Sequence, residues 1–399
     1  MANPAHARSD QPRDQLSEDM PLSLIRGGSL YRAQEKAGLI RPDSWDLKRR
    51  LPLAIAVAWI PLVVLAAVQG GMHDALSVVT DYRVTARVFI AIPMLLVAQI
   101  SMDVRFREMA QQFLDATLVR DADLSRFHQI VQKTRRLRDA KLPEIVAFVA
   151  VYVQIGYLVE SGRAQFVPWA SNVTTGSFTP AGYYAMLVTL ALFLGLMATI
   201  IWKWMIWIFF LWRISQLDLQ IDATNGDLTG GLGFVGEVPR AFVPVVLAIA
   251  AVIGAYWRSQ VLTGQVTLDS LMWPAGVLAL ICLLIFFLPL AVFTPILARE
   301  KRLSTRRYGS LQHLVSLQFR RKWTGPHREP VDQLLAGPDV SSLADITGSF
   351  KNIEQMRTYP FRVPTVLTFL GALALPLIPV ATTQIPLKEI LKGLLQAVR

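Results

Sequence analysis

The stretch Asn225–Gly236 reads NGDLTGGLGFVG, and within it Gly231, Gly233 and Gly236 satisfy G-x-G-x-x-G. That spacing can cradle a dinucleotide. Its glycines admit the pyrophosphate close to the backbone, and a helix N-terminus favours the negative charge. The chemistry needs a strand before the glycines and a soluble helix after them. Here a tryptophan-rich apolar run, IIWKWMIWIFFLW, precedes them, and a second apolar run begins after Pro239. No strand is available, so a nucleotide fold is excluded. Two readings stay open for the glycines. One is a tight turn that returns the chain to a membrane and packs against it. The other is an anion-binding loop, in which Asp227, Gly230, Gly231 and Gly233 frame a phosphate or carboxylate held on main-chain N–H groups. Asp222, Asp227 and Glu237 oppose a strongly anionic ligand there. They suit a cation, or an arginine from residues 298–362.

Other residues with chemical potential stand near apolar runs. Lys203 lies among tryptophans about one membrane thickness beyond Tyr183 and Tyr184, where it can snorkel to the interface. Its alternative is a buried pair with Glu144, which follows Pro143 and also suits the first turn of a helix. Gln99 and Gln154 are the polar side chains set deepest in apolar runs. No H-E-x-x-H, G-x-S-x-G or P-loop occurs, so no catalytic residue is assigned. Five scattered histidines and the single Cys282 offer no metal-ligand spacing and no disulfide framework. No cofactor or metal is expected.

The elements that carry these residues are membrane helices. The chain is 53% hydrophobic and only 17% charged, against about 25% charged in a soluble domain. Seven apolar runs have the length of a spanning helix: 51–68, 84–101, 144–158, 183–212, 241–257, 271–297 and 363–380. The expected fold is all-α, a polytopic transmembrane bundle of seven spans. Pro376 and Pro379 raise the alternative of six spans and a re-entrant last segment. Segments 1–50, 102–142, 213–240 and 298–362 hold 9, 9, 2 and 12 Lys and Arg, 32 of the chain's 40. Basic loops stay cytoplasmic, so the N-terminus is expected in the cytoplasm. The net charge of +11 reports this topology and an attraction to anionic headgroups. Nucleic-acid binding is not expected, because the basic residues border spans and form no free basic domain.

Outside the spans, residues 1–50 form a polar segment whose first part is low in apolar content and expected to be disordered. Residues 102–142 predict a helical hairpin, with Phe106, Met109 and Phe113 on one arm and Leu124, Phe127, Val131 and Leu137 on the other. In the basic segment 298–362, the RRYGS and FRRKW region is expected along the headgroups. An amphipathic helix is predicted over 340–357, with Asp339 as its cap. Leu343, Ile346, Phe350 and Ile353 recur on it at intervals of 3, 4 and 3, a narrow seam for another helix. That seam packs either on the first hairpin or on a partner or second copy. Within 363–399, Pro386 opens a second amphipathic helix with Leu387, Ile390, Leu391, Leu394, Leu395 and Val398 on one face.

FREMAQQFLDATLV, RRLRDAKLPE, LWRISQLDLQ with the following GDLTGGLGF, DVSSLADI and PLIPVATTQIPLKEILKGLL give the chain a resemblance to a family of uncharacterised bacterial integral inner-membrane proteins. The resemblance covers nearly all of the chain from Leu51. In that family His-Pro-Asp typically precedes the glycines. Here Asn225, Gly226 and Asp227 stand at those places, and only the aspartate is kept. The resemblance implies the topology and a bacterial inner-membrane setting, and no chemistry.

Two functions follow as expectations. The first is a transporter or channel for a small solute or ion, suggested by Pro244, Pro289 and Pro295 in spans five and six and by polar residues near the inner face. The second is a membrane-embedded scaffold that meets a membrane-protein partner, or a homo-oligomer, through its cytoplasmic helices.

Overall fold

The computed structural model describes residues 47–161, 169–171, 177–324 and 339–383. The polar segment before residue 47 and the amphipathic helix after Pro386 lie outside the described residues. Among those residues there is no strand, only the isolated bridges Val119–Leu219 and Ser171–Phe178. The protein is an all-α, multi-pass membrane protein. Seven of its helical segments are long and apolar enough to cross a bilayer, and each contains one of the seven runs read from the sequence.

In chain order, α1 covers Leu47–Thr80, with a non-helical break at Gly70–Gly71 just past the end of the first apolar run. Helix α2 covers Tyr82–Asp115. It takes up Pro93, which has no N–H to donate, just past a wider π turn at Arg87–Ala91. A 3-10 turn at Asp121–Asp123 leads to α3, Leu124–Arg138, and then to α4, Lys141–Glu160. Helix α5 covers Pro180–Ile214, and the glycine-bearing loop follows it. A 3-10 segment, Val235–Phe242, opens α6, Val243–Leu262. Helix α7 covers Met272–Phe287, and the 3-10 segment Leu288–Phe293 joins it to α8, Thr294–Trp323. Helix α9 covers Asp339–Gln355, and α10 covers Val363–Ala374. A 3-10 turn and a short helix containing Pro376 and Pro379 carry the last span to Ala381.

Burial separates inner from outer helices. In the most apolar stretches of α2 and α6, 56% and 61% of residues are buried inside the protein, against 11% for α4. So α2 and α6 form the centre of the bundle, and α4 presents Ile145, Phe148, Val149 and Val153 outward, the face that lipid covers. A chain of aromatic contacts ties five spans together: Phe106 stacks on Trp207, which meets Phe242, then Phe286, then Phe369. Each such pair adds about 0.5–1.5 kcal/mol beyond its burial.

The elements outside the apolar runs refine the sequence reading. The descending arm of the 102–142 hairpin is not a separate helix, because α2 runs on without a break from the membrane to Asp115. The return arm is α3, and Phe113 meets Phe127 across the hairpin. Residues 294–323 form one continuous helix, α8, that prolongs the sixth span. The seam of α9 packs along α8. Its filled partner is therefore another helix of the same chain and not the first hairpin. Ile353 is fully buried there, and Leu343, Ile346 and Phe350 are half-buried.

Candidate functional site

Three neighbouring regions on the basic side of the bundle carry the polar residues. The first is a buried cluster at the ends of the spans. Arg50 of α1, only 6% exposed, donates from Nη2 to Gln99 Oε1 of α2 at 3.0 Å. Gln99 Nε2 in turn reaches Thr199 Oγ1 of α5 at 3.5 Å. One turn further along α2, the carboxylate of Asp103 is fully enclosed and accepts from Arg107 Nη2 at 2.9 Å. Lys203 of α5 is half-buried, and its ammonium lies within electrostatic reach of Asp103, Glu144, Arg50 and Arg138. The Lys203–Glu144 pair, raised as the alternative to a snorkelling Lys203, thus belongs to a larger constellation of charges that draws on α1 to α5.

Asp103 and Arg50 were not singled out from the sequence. Both sit just past the ends of apolar runs, where hydropathy places water. The signal for Asp103 is periodicity. The face of Phe106, Met109 and Phe113, extended backwards, passes through Met102 and Asp103 to Gln99. A carboxylate on a buried helical face in a membrane protein marks functional use by default.

The second region is the glycine loop. The Asp227 carboxylate lies at its centre. Its Oδ1 accepts the N–H of Thr229 at 2.7 Å and of Gly231 at 3.1 Å, and its Oδ2 accepts the N–H of Gly233 at 2.9 Å and the Thr229 hydroxyl at 2.8 Å. The loop is an anion nest whose anion is its own side chain. Main-chain donors that a bound phosphate would need are already taken. The turn passes through left-handed backbone at Leu228, Gly230 and Gly231, and two of these three positions are glycine, the residue without a steric penalty there. Gly236 serves close approach instead: a Cβ there would overlap the Pro360 carbonyl oxygen.

The 352–361 stretch clamps this loop. Asn352 Nδ2 donates to the Thr224 carbonyl at 3.0 Å, and Arg357 donates from its main chain to the Leu228 carbonyl at 2.7 Å and from Nη2 to the Asp227 carbonyl at 3.2 Å. So an arginine from 298–362 does meet this loop, through the backbone of Asp227 and not its carboxylate. Lys301 Nζ of α8 closes the assembly by donating to the carbonyls of Glu354 at 2.9 Å and Met356 at 2.7 Å, at the end of α9.

The third region is a cleft of about 1440 Å³ between the loop, the α2–α3 corner and α8. Asp227, Gly230, Gly231 and Gly233 form part of its wall, with Arg120, Arg240, Arg299, Arg307 and Arg362 around it. Glu144 and Lys203 are not among its lining residues, so the predicted binding residues divide between cluster and cleft. The seam residues of α9 belong to neither. Among the described residues no group of His, Cys, Asp or Glu has the arrangement of a metal site.

Comparison of the chain with protein-family models, with curated proteins and with solved structures returns no match.

Proposed function

We propose that this membrane protein is a transporter or channel for a small solute or ion, set in a bacterial inner membrane with its basic side in the cytoplasm. The observation that carries the transport reading is the Arg50–Gln99–Thr199 chain with Asp103 and Lys203, gathered from three spans at the inner ends of apolar helices. Enclosing a carboxylate and an arginine among membrane helices, with a half-buried lysine beside them, is costly. Hydrophobic residues would pack such an interface at less cost, which favours a use of these groups in solute contact or proton movement. Interruptions at Leu288–Phe293 and Leu375–Leu377 lie in spans six and seven, and the 3-10 segment Val235–Phe242 leads into span five; broken helices of this kind line transport paths. The setting and sidedness rest on the resemblance and on the alternation of basic segments.

The scaffold alternative relied on the 102–142 hairpin and on the α9 seam, and α8 of the same chain packs along the second of these. The hairpin is the surface left to it.

The test is flux through proteoliposomes. The wild type should pass at least one ion or solute class, and Asp103→Asn should bring that flux close to background while the protein keeps its wild-type elution profile and helicity. No permeation for any ion or common metabolite tested, or full flux in Asp103→Asn, overturns the reading.

A further inference from the structure

We infer that the cleft on the basic side binds a phosphate-bearing ligand through Arg299, Arg307 and Arg362. The inference does not depend on transport, since it concerns a different set of residues.

Charge count alone does not point to an anion. The cleft wall holds five arginines and five carboxylates. What separates the two sets is how their members are engaged. Asp218 pairs with Arg120, and Glu237 pairs with Arg240. Glu300 accepts from the Ser304 hydroxyl at 2.8 Å. Asp222 accepts from the Thr224 hydroxyl at 2.6 Å and from its N–H at 2.9 Å. Asp227 is spent on the loop amides. Every carboxylate thus has a partner within the protein. The side chains of Arg299, Arg307 and Arg362 have no hydrogen bond or ion pair among the described residues, and all three are exposed at the cleft.

Three unneutralised guanidinium groups on one concavity repel one another, and low-dielectric walls strengthen that repulsion. A shared anionic ligand relieves it. Guanidinium forks match phosphate oxygens in pairs, which makes phosphate the preferred anion. Spacing says more. Arg299 and Arg307 stand on one face of α8, two turns and about 12 Å apart by helical rise, with Leu303 between them on the same wall. That figure is a backbone separation: the two long side chains can converge on one phosphate or, extended, hold two anionic groups. A ligand that extends along α8, with an anionic group at more than one point, uses both arginines, and the cleft exceeds the roughly 300–1,000 Å³ usual for a small-molecule site. The glycine loop supplies a wall here and no anchoring amides.

Two sources share this chemistry. Arg240, Ile296 and Arg362 lie where spans five, six and seven meet the basic side, so an anionic lipid headgroup can approach from the bilayer. A soluble phosphate ester can approach from the other direction.

The experiment uses the full chain in nanodiscs. In one arm, inorganic pyrophosphate is titrated calorimetrically into protein held in phosphatidylcholine. In the other, native mass spectrometry counts retained lipid after transfer from discs containing phosphatidylglycerol. Arg299→Gln/Arg307→Gln should weaken the ligand that binds by roughly tenfold for each arginine lost. Arg302→Gln/Arg306→Gln, on an exposed part of the same helix outside the cleft, removes equal charge and should leave binding unchanged. Pyrophosphate binding with this pattern assigns a soluble phosphate ester, and lipid retention with this pattern assigns a headgroup. Failure of both probes to bind the wild type, or equal losses in the two double variants, overturns the inference. Because flux is not the readout, this result is independent of whether the protein transports.

Discussion

Asp227 shows how a single side chain can decide what a loop is for. Its carboxylate takes two hydrogen bonds on each oxygen, and it does so in a turn whose glycines permit the backbone to converge. Asp227→Ala strands the Thr229, Gly231 and Gly233 N–H groups. Each stranded donor costs roughly 1–3 kcal/mol where water cannot replace the acceptor. The variant should therefore melt several degrees below the wild type in detergent, and amide exchange should rise first at those three positions. An unchanged exchange pattern would show that the nest does not hold the loop. The glycines and the aspartate were legible in the sequence as a unit. Their roles were not, because whether loop amides face outward or inward is set by the fold of six residues and by Arg357, which lies 130 positions away. Asp103 was illegible for another reason. Hydropathy averages over a window, and Arg105 and Arg107 beside it end the apolar run on paper before the buried face of α2 ends in space.

At the scale of elements, α8 and α9 form a hairpin closed at both ends. Lys301 caps the carbonyl end of α9, and Asp339 at its start accepts from Lys322 Nζ at 2.8 Å and Trp323 Nε1 at 3.0 Å. These hydrogen bonds, from Lys322 first and Trp323 second, hold the Asp339 carboxyl below its ordinary value of 3.8. The sign follows from that direction. A carboxylate stabilised in the folded state contributes fully above its unfolded pKa and loses the contribution as pH falls through the depressed folded value. The start of α9 should loosen in acid below about pH 4 while its other end stays docked through Lys301. Hydrogen exchange across residues 340–345 measured between neutral and acid pH reads this, and Asp339→Asn should show the loosened pattern already at neutral pH. Exchange that stays flat with pH would remove Asp339 from this role. The seam itself was plain from the intervals between Leu343, Ile346, Phe350 and Ile353. Its partner was not, since a stripe of apolar residues specifies that something packs and not what.

For the whole molecule, the seven apolar runs were readable because backbone polar groups in lipid leave few alternatives to a helix. Proline positions were less informative. Pro376 and Pro379 raised a re-entrant segment as the alternative to a seventh span, and at these prolines a 3-10 turn and a short helix continue the chain to Ala381. Sidedness is directly testable. Cys282 is the chain's one cysteine and is buried, so Cys282→Ala gives a background for single-cysteine variants. With the basic side in the cytoplasm, Gln265→Cys should react with an impermeant maleimide added to intact spheroplasts. Ser310→Cys should react only in inverted vesicles. The reverse pattern would turn the molecule over.

The 3-10 segment Leu288–Phe293, flanked by α7 and α8 and carrying Pro289 with Pro295 just beyond, breaks the α-helical ladder at the root of a rod, where a bend costs least. Helix α8 has 30 residues, which makes it about 45 Å long. A bend of about 5° there swings the far end by about 4 Å, while Lys301, near the pivot, scarcely moves. Small tilts of the sixth span in the bilayer are in this way magnified at Trp323 and muted at the glycine loop. Strain from changing membrane thickness would be read most at the tip of the rod, and the cleft wall, which runs from Ile296 to Arg307 of α8, would feel a smaller share of it.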